Sequence, residues 1–295
     1  MAVRQFEHFI AVDWSGAKGA RHKAITMAVA HAGGGPPVLV ERDAGWTRGE
    51  VRDVLAESLP DNSLVGLDLG IALPFADEGA YFPGWDRSPP DAKTLWALIE
   101  AICVGDEHLS VGSFVDHAEA SHYFRRHGGR EGSRFGAGGA TGGRGRLRIT
   151  ERAQEEMGCK PYSNFNLVGA AQVGKSSLTG MRVLHALRGK LRVWPIDPLP
   201  HNGSVAVEIY TALASMAAGR SASRSKIRTY EELDEALGNL GSETLRKTGP
   251  VDDHSSDAIV TAAWLRNAAR DDALWSPQAL TPQIAKTEGW TFGVA

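Results

Sequence analysis

Three short apolar runs in this chain each end on a carboxylate: His8-Phe-Ile-Ala-Val-Asp13, Ser63-Leu-Val-Gly-Leu-Asp68 and Ser204-Val-Ala-Val-Glu208. A run of this length, bounded by turn signals, reads as a buried strand. A sheet made of such strands needs helices packed over both of its sides. If the strands are neighbours, the acids at their ends gather along one edge of the sheet. This pattern constrains the chain to an α/β architecture.

The covering helices are legible too. Thr47 to Leu59 carries Val51, Val54, Leu55 and Leu59 at helical spacing, with Thr47 as N-cap and Glu50 three residues on. Lys93–Val104, Ser176–Arg188 and Tyr230–Leu240 read as helices. Asp252–Ala269 is the strongest of them, opening on Asp and holding Ala258, Ile259, Ala262, Ala263 and Leu265. Ala24–Ala30 and Pro37–Glu41 read as strands separated by the glycine-proline turn at 33–37, and Leu191–Trp194 as a further strand. The first 75 residues therefore run strand, strand, strand, helix, strand.

Composition excludes several classes. With 42% hydrophobic residues, 23% charged residues and a net charge of -3, the chain is globular and is not basic enough to hold nucleic acid over its whole surface. Two cysteines, Cys103 and Cys159, make neither a disulfide framework nor a zinc ribbon. The apolar run before Asp13 is too short for a signal peptide, and no run approaches the roughly 18 residues of a membrane span. The expectation is a soluble, cytoplasmic protein without a membrane partner. It is read as a single domain over 1–295 with an insertion at 76–165. The oligomeric state stays open, a homodimer included.

Within the insertion, residues 121–152 hold nine glycines and eight arginines against two glutamates, Glu131 and Glu151. That composition predicts a mobile, solvated loop offering phosphate contacts. The candidates are Arg144, Arg146 and Arg148, joined by Arg224 and Lys226 beyond the Glu208 strand.

The residues suited to chemistry are Asp13, Asp68, Glu208, Asp253, His254 and Asp257. Mg2+ and Mn2+ want hard oxygen ligands and act in phosphodiester cleavage. Asp253 and Asp257 are four residues apart and His254 and Asp257 three, so either pair shares a helix face. A strand-end Asp also serves as a turn residue, and Asp252 or Asp253 as a helix cap. Recurrence of the same placement favours a cluster.

Asp253-His-Ser-Ser-Asp257-Ala258, opening an alanine-rich helix, resembles the last catalytic motif of RuvC-type Holliday-junction resolvases. Val205-Ala-Val-Glu208-Ile-Tyr210, with Gly219 and Lys226 behind it, is similar to their fifth strand and following basic segment. Most of the chain resembles a family of predicted ribonuclease H-like nucleases. The matching motifs are Ala11-Val-Asp13, Leu67-Asp-Leu-Gly-Ile-Ala-Leu-Pro74, Val173-Gly-Lys175, Gly180-Met181, Val193-Trp-Pro195, Glu208-Ile-Tyr210, Asp253 to Ala258 and Glu288-Gly-Trp290, in that order. The resemblance implies a ribonuclease H-like, five-stranded mixed sheet flanked by helices. It also implies a metal-dependent nuclease acting on DNA or RNA, with Mg2+ or Mn2+ held by Asp13, Asp68, Asp253 and Asp257. His254 would be a ligand or base and Glu208 a fourth acid. Two positions depart from the resolvase pattern: Asp68 stands where Glu is usual, and Thr211 where Pro is common.

A rival motif competes. Gly169-Ala-Ala-Gln-Val-Gly174-Lys175-Ser176 matches G-x-x-x-x-G-K-[ST], with Phe165–Val168 as the strand before it. A P-loop-like binder of ATP or GTP needs a Walker-B strand as well. The nearest run, Leu191 to Asp197, is broken by Pro195. A ribonuclease H-like domain that binds without cleaving is the third possibility. The tryptophans read as core or lid packing, with Trp14 set apart by following Asp13 directly.

Overall fold

The computed structural model describes residues 6–128, 130–137, 143–169, 173–221 and 226–295. Its main sheet joins β1 (His8–Asp13), β2 (Thr26–His31), β3 (Val38–Leu39), β4 (Ser63–Leu67), β7 (Arg192–Trp194) and β8 (Val205–Glu208). Between them lie the helices α1 (Arg48–Glu57), α2 (Ala92–Cys103), α3 (Gly112–Val115), α4 (Ile149–Glu156) and α5 (Val173–Ala186), and a small hairpin of β5 (Arg125–Arg126) and β6 (Arg130–Glu131). The chain ends in α6 (Thr211–Ala217), α7 (Tyr230–Asn239), α8 (Asp253–Ala268) and α9 (Pro282–Thr287). Among the described residues no helix is long and apolar enough to cross a membrane.

The strand order is β3-β2-β1-β4-β8-β7. The meander β1-β2-β3 is antiparallel, whereas β4, β8 and β7 run parallel to β1. The sheet has six strands, one more than the resemblance implied, and each corresponds to a run read as a strand in the sequence. The sixth, β7, is the Leu191–Trp194 run, which pairs with β8 at the edge.

Alternation along the strands sends side chains to two cores, as a period of two requires. Ile10, Val12, Val65, Leu67 and Ala206 face one core, under α1, α2 and α5. Phe9, Ala11, Leu64, Val205 and Val207 face the other, under α6, α7 and α8. Helix α8 packs on β1 and β2 through small residues, Ala258, Ala262 and Ala263 being fully buried. The close approach extends to β4, where a Cβ at Gly66 would lie 2.9 Å from Leu265. Local signals set the helix starts. Thr47 and Glu50 form the anticipated capping box on α1, and Asp252 accepts from the Ser255 amide at 2.9 Å.

The Gly/Arg-rich segment is a solvated loop only in part. Part of the insertion packs into the first core: Phe82 is ringed by Trp85, Phe114, Tyr123 and Phe165, and Phe124 and Phe135 are buried beside them, whereas His127, Arg130, Glu131 and Arg134 are exposed and residues 129 and 138–142 lie outside the described residues. Arg146 is buried, not offered to solvent. It grips the Asp77 carboxylate at 2.6 and 2.9 Å and donates to the carbonyls of Pro74, Ala80 and Tyr81. A guanidinium closing off loop carbonyls can do the work of a side-chain core, which a count of glycines and arginines does not reveal.

Candidate functional site

β1 and β4 are adjacent and parallel, so their carboxyl ends meet at one edge. Asp13 is the last residue of β1, and Asp68 directly follows β4, its amide bonded to the Val12 carbonyl at 3.0 Å. The opening turn of α8 arrives at the same edge. There His254 Nδ1 lies 2.6 Å from Asp13 Oδ2, which docks the helix on the end of β1. Asp257 stands one turn further along α8 and faces the Asp13 charge.

The electrostatics of this edge are unbalanced. Burial pushes the Asp68 carboxyl well above the usual carboxylate range, and the charges of Asp13 and Asp257 raise it further. Burial, then Asp13 and Asp253, lift Asp257 to about 7. Asp13 is also raised, by burial that outweighs its bond to His254. Its grip on the ring in turn raises His254. The ion pairs of the described residues include none to Asp68 or Asp257. Hard oxygen donors whose charge lacks a counterpart suit a divalent cation. The side chains are not drawn into a closed ligand shell: among the described residues, no group of three or more His, Cys, Asp or Glu is set to hold a metal ion. Asp13 is engaged by His254 and by the Trp14 amide, and Asp13, Asp68 and Asp257 are the donors whose chemistry fits.

Two other acids expected here do not join. Glu208 ends β8 beside Asp68, but its carboxylate is buried and fully engaged. Arg148 grips it in a fork at 2.5 and 2.8 Å, the Ile71 amide donates at 2.8 Å, and the Thr291 hydroxyl donates at 2.6 Å. Glu208 is therefore a structural anchor rather than a base or ligand. Asp253 turns away, pairing with Lys226 and lying 3.9 Å from Arg228, and these cations hold it below the usual range.

The expected phosphate-contacting cations fare likewise. Arg148 is 1% exposed and bound to Glu151 and Glu208. Arg146 is held by Asp77, Arg144 pairs with Glu155, and Lys226 with Asp253. Arg224 lies outside the described residues.

Of the glycine-lysine motif, residues 170–172 lie outside the described residues. Phe165–Val168 forms no strand, making one bridge from Asn166 to Arg125. Lys175 Nζ meets His127 Nε2 at 2.9 Å. Asp197, in the Walker-B position, pairs with Lys93 and accepts from the Val193 amide. Trp14 is buried and donates to Thr179 at 3.0 Å, a packing role.

A cleft of about 280 Å³ opens beside Asp68, lined by Trp14, Gln154, Tyr162, Asn164, Ser176 and Tyr210 among others. Tyr162 is 47% exposed there, and nothing in its proline-flanked loop singled it out in the sequence. Glu288, quoted above only as part of a motif, accepts from the amides of Phe75, Ala76 and Ile149 and ties α4 to the loop after β4.

Compared with known proteins, the chain matches no family profile, no curated protein and no solved structure.

Proposed function

We propose that the protein is a metal-dependent phosphodiesterase of the ribonuclease H-like kind, cleaving nucleic acid with Mg2+ or Mn2+ at Asp13, Asp68 and Asp257. The observation that carries this reading is that the adjacent parallel strands β1 and β4 and the first turns of α8, docked on Asp13 through His254, put Asp13, Asp68 and Asp257 at one edge of the sheet, the last two without a cationic partner among the described ion pairs. The strand order β3-β2-β1-β4-β8, with its antiparallel meander followed by parallel strands, supports it.

Each residue has a definable task. Asp13 orients His254 through Oδ2 and would contribute to holding the cation. With Nδ1 held by Asp13, Nε2 is the nitrogen left to take a proton from an attacking water or return one to the leaving oxygen. A divalent cation would supply charge neutralisation and activation of that water. Arg148 and Glu208 hold the loop after β4 beneath the site, since the Ile71 amide is bonded to Glu208. The exposed Tyr162 ring at the cleft mouth offers a face for a base.

The test is cleavage of labelled single-stranded, duplex and four-way-junction DNA, and of RNA, with Mg2+, Mn2+ or EDTA. Asp13→Asn, Asp68→Asn and Asp257→Asn are each expected to lower the rate by at least about a hundredfold, roughly 2.7 kcal/mol of barrier. Cleavage that survives all three changes, or EDTA, defeats the proposal. A folded wild-type protein that binds these substrates and cleaves none would be a binding domain instead.

A further inference from the structure

A second cavity, of about 420 Å³, lies against a different face of α5 from the carboxylate cleft. Lys175 and Thr179 of α5 line it, whereas Val173 and Ser176 line the cleft beside Asp68. Its polar side carries Lys18, Arg126, His127, Arg130 and Lys175, and its apolar side Val111, Val115 and Leu167.

The charges on this wall are only partly answered. Three acids line the cavity: Asp116 pairs with Arg126 at 3.0 Å, Asp106 is held by Ser113, and Glu107 lies 3.8 Å from His108. The ion pairs of the described residues include none for Lys18, Lys175 or Arg130; Lys175 meets the His127 ring and Arg130 donates to the His127 carbonyl, neither of them an anion. The two lysines are close enough that burial and the Lys18 charge together lower the Lys175 ammonium. Arg126 adds a buried Nε with no hydrogen-bond partner. Five cations, Lys18, Arg48, Arg126, Arg130 and Lys175, against three acids on the same lining, beside an unanswered donor, are an arrangement an anion would complete.

The wall is also held in place. Arg48, buried and 1% exposed, donates to the carbonyls of Ser15 and Ala17 at 2.5 to 3.1 Å and to that of His108 at 3.0 Å, fixing the loop that carries Lys18. Gly16 then lets this loop lie on the first turn of α5, where a Cβ would fall 2.4 Å from the Lys175 carbonyl carbon and the Ser176 amide nitrogen. A rigid cationic wall loses little freedom when a ligand binds.

We propose that this cavity binds a nucleotide, its phosphate against Lys18, Lys175, Arg126 and Arg130 and its base and sugar against Val111, Val115 and Leu167. The volume falls in the range of pockets that hold small ligands, about 300–1,000 Å³. The inference does not depend on the carboxylate site being catalytic. It assigns Lys175 an anion contact from the side of α5, without a triphosphate loop or a Walker-B acid.

The experiment is isothermal titration of the full chain in EDTA with inorganic phosphate, the nucleoside 5′-monophosphates, and short oligonucleotides with and without a 5′-phosphate. Monophosphates are expected to bind at least tenfold more tightly than inorganic phosphate. Lys18→Ala/Lys175→Ala should weaken them at least tenfold, and Asp257→Asn should leave them unchanged. Preference for the 5′-phosphorylated oligonucleotide over free monophosphates would make the ligand a strand end, and the reverse a free nucleotide. Binding no tighter than that of inorganic phosphate, or unaltered in the double variant, overturns the proposal. If the double variant fails to fold, the exposed Arg130→Ala serves alone, with at least a threefold loss required. Loss of binding in Asp257→Asn would instead place the nucleotide at the carboxylates.

Discussion

Asp68 and Glu208 sit at the ends of neighbouring parallel strands, in a register that pairs Leu67 with Glu208, and both follow an apolar run. In sequence they look alike. In the structure Glu208 is gripped by Arg148, an amide and a hydroxyl, while Asp68 faces the charges of Asp13 and Asp257 with only the Thr211 amide to help. The first carboxylate is stabilised and has no capacity left for a ligand. The second costs stability and keeps that capacity. An acid at a strand end therefore says where a site is possible, and its partners decide whether one exists.

The comparison is broken most severely at Arg148. Arg148→Ala leaves Glu208 and Glu151 buried without their cation, a loss of roughly 3–5 kcal/mol that urea unfolding would measure. If Arg148 were a substrate contact, stability would hold and only nucleic-acid affinity would fall.

A smaller effect tests the open side of the pair. His254→Ala is expected to lower metal-dependent cleavage by about ten- to a hundredfold, roughly 1.4–2.7 kcal/mol. Because Asp13 raises the His254 pKa, the basic form needed by the attacking water accumulates above the ordinary histidine range. The wild-type rate should climb with pH through that raised value. A variant keeping the same acidic limb would show that the limb belongs to another group.

Next comes the stability cost of Asp257. Its folded pKa is raised to about 7, so its contribution is fully present below about pH 4 and is lost as pH rises toward 7. Without metal, Asp257→Asn should therefore stabilise the protein at pH 8 by on the order of 1 kcal/mol, after allowing for partial exposure, and by little at pH 4. Thermal unfolding at the two pH values measures this. Mg2+ at pH 8 should raise the wild-type midpoint and leave that of the variant in place.

The smallest expected change is at Arg144, whose pair with Glu155 is partly exposed. Arg144→Ala should shift stability by less than about 1 kcal/mol. A salt series of nucleic-acid binding should keep its slope, since that guanidinium already has an acid. A slope flattened by close to one unit would return Arg144 to the substrate.

What the sequence by itself determined is what depends on near neighbours. The capping box of Thr47 and Glu50, the Asp252 cap, the paired spacing of His254 and Asp257 and the apolar strands all rest on groups a few residues apart, and all are found where the sequence put them. That two strands ending in Asp could sit side by side was legible as well; their parallel pairing, which brings Asp13 and Asp68 to one edge, came from the fold. The tertiary structure alone decided which charges are answered. Arg148 reaches Glu208 across 60 positions and Arg146 reaches Asp77 across 69, so segments read as solvated loop became buried anchors. It alone brought Lys18, Arg130 and Lys175 to one cavity. Periodicity and caps act within a turn or two of backbone, whereas the neutralisation of a charge depends on what the folded chain places within a few ångströms of it.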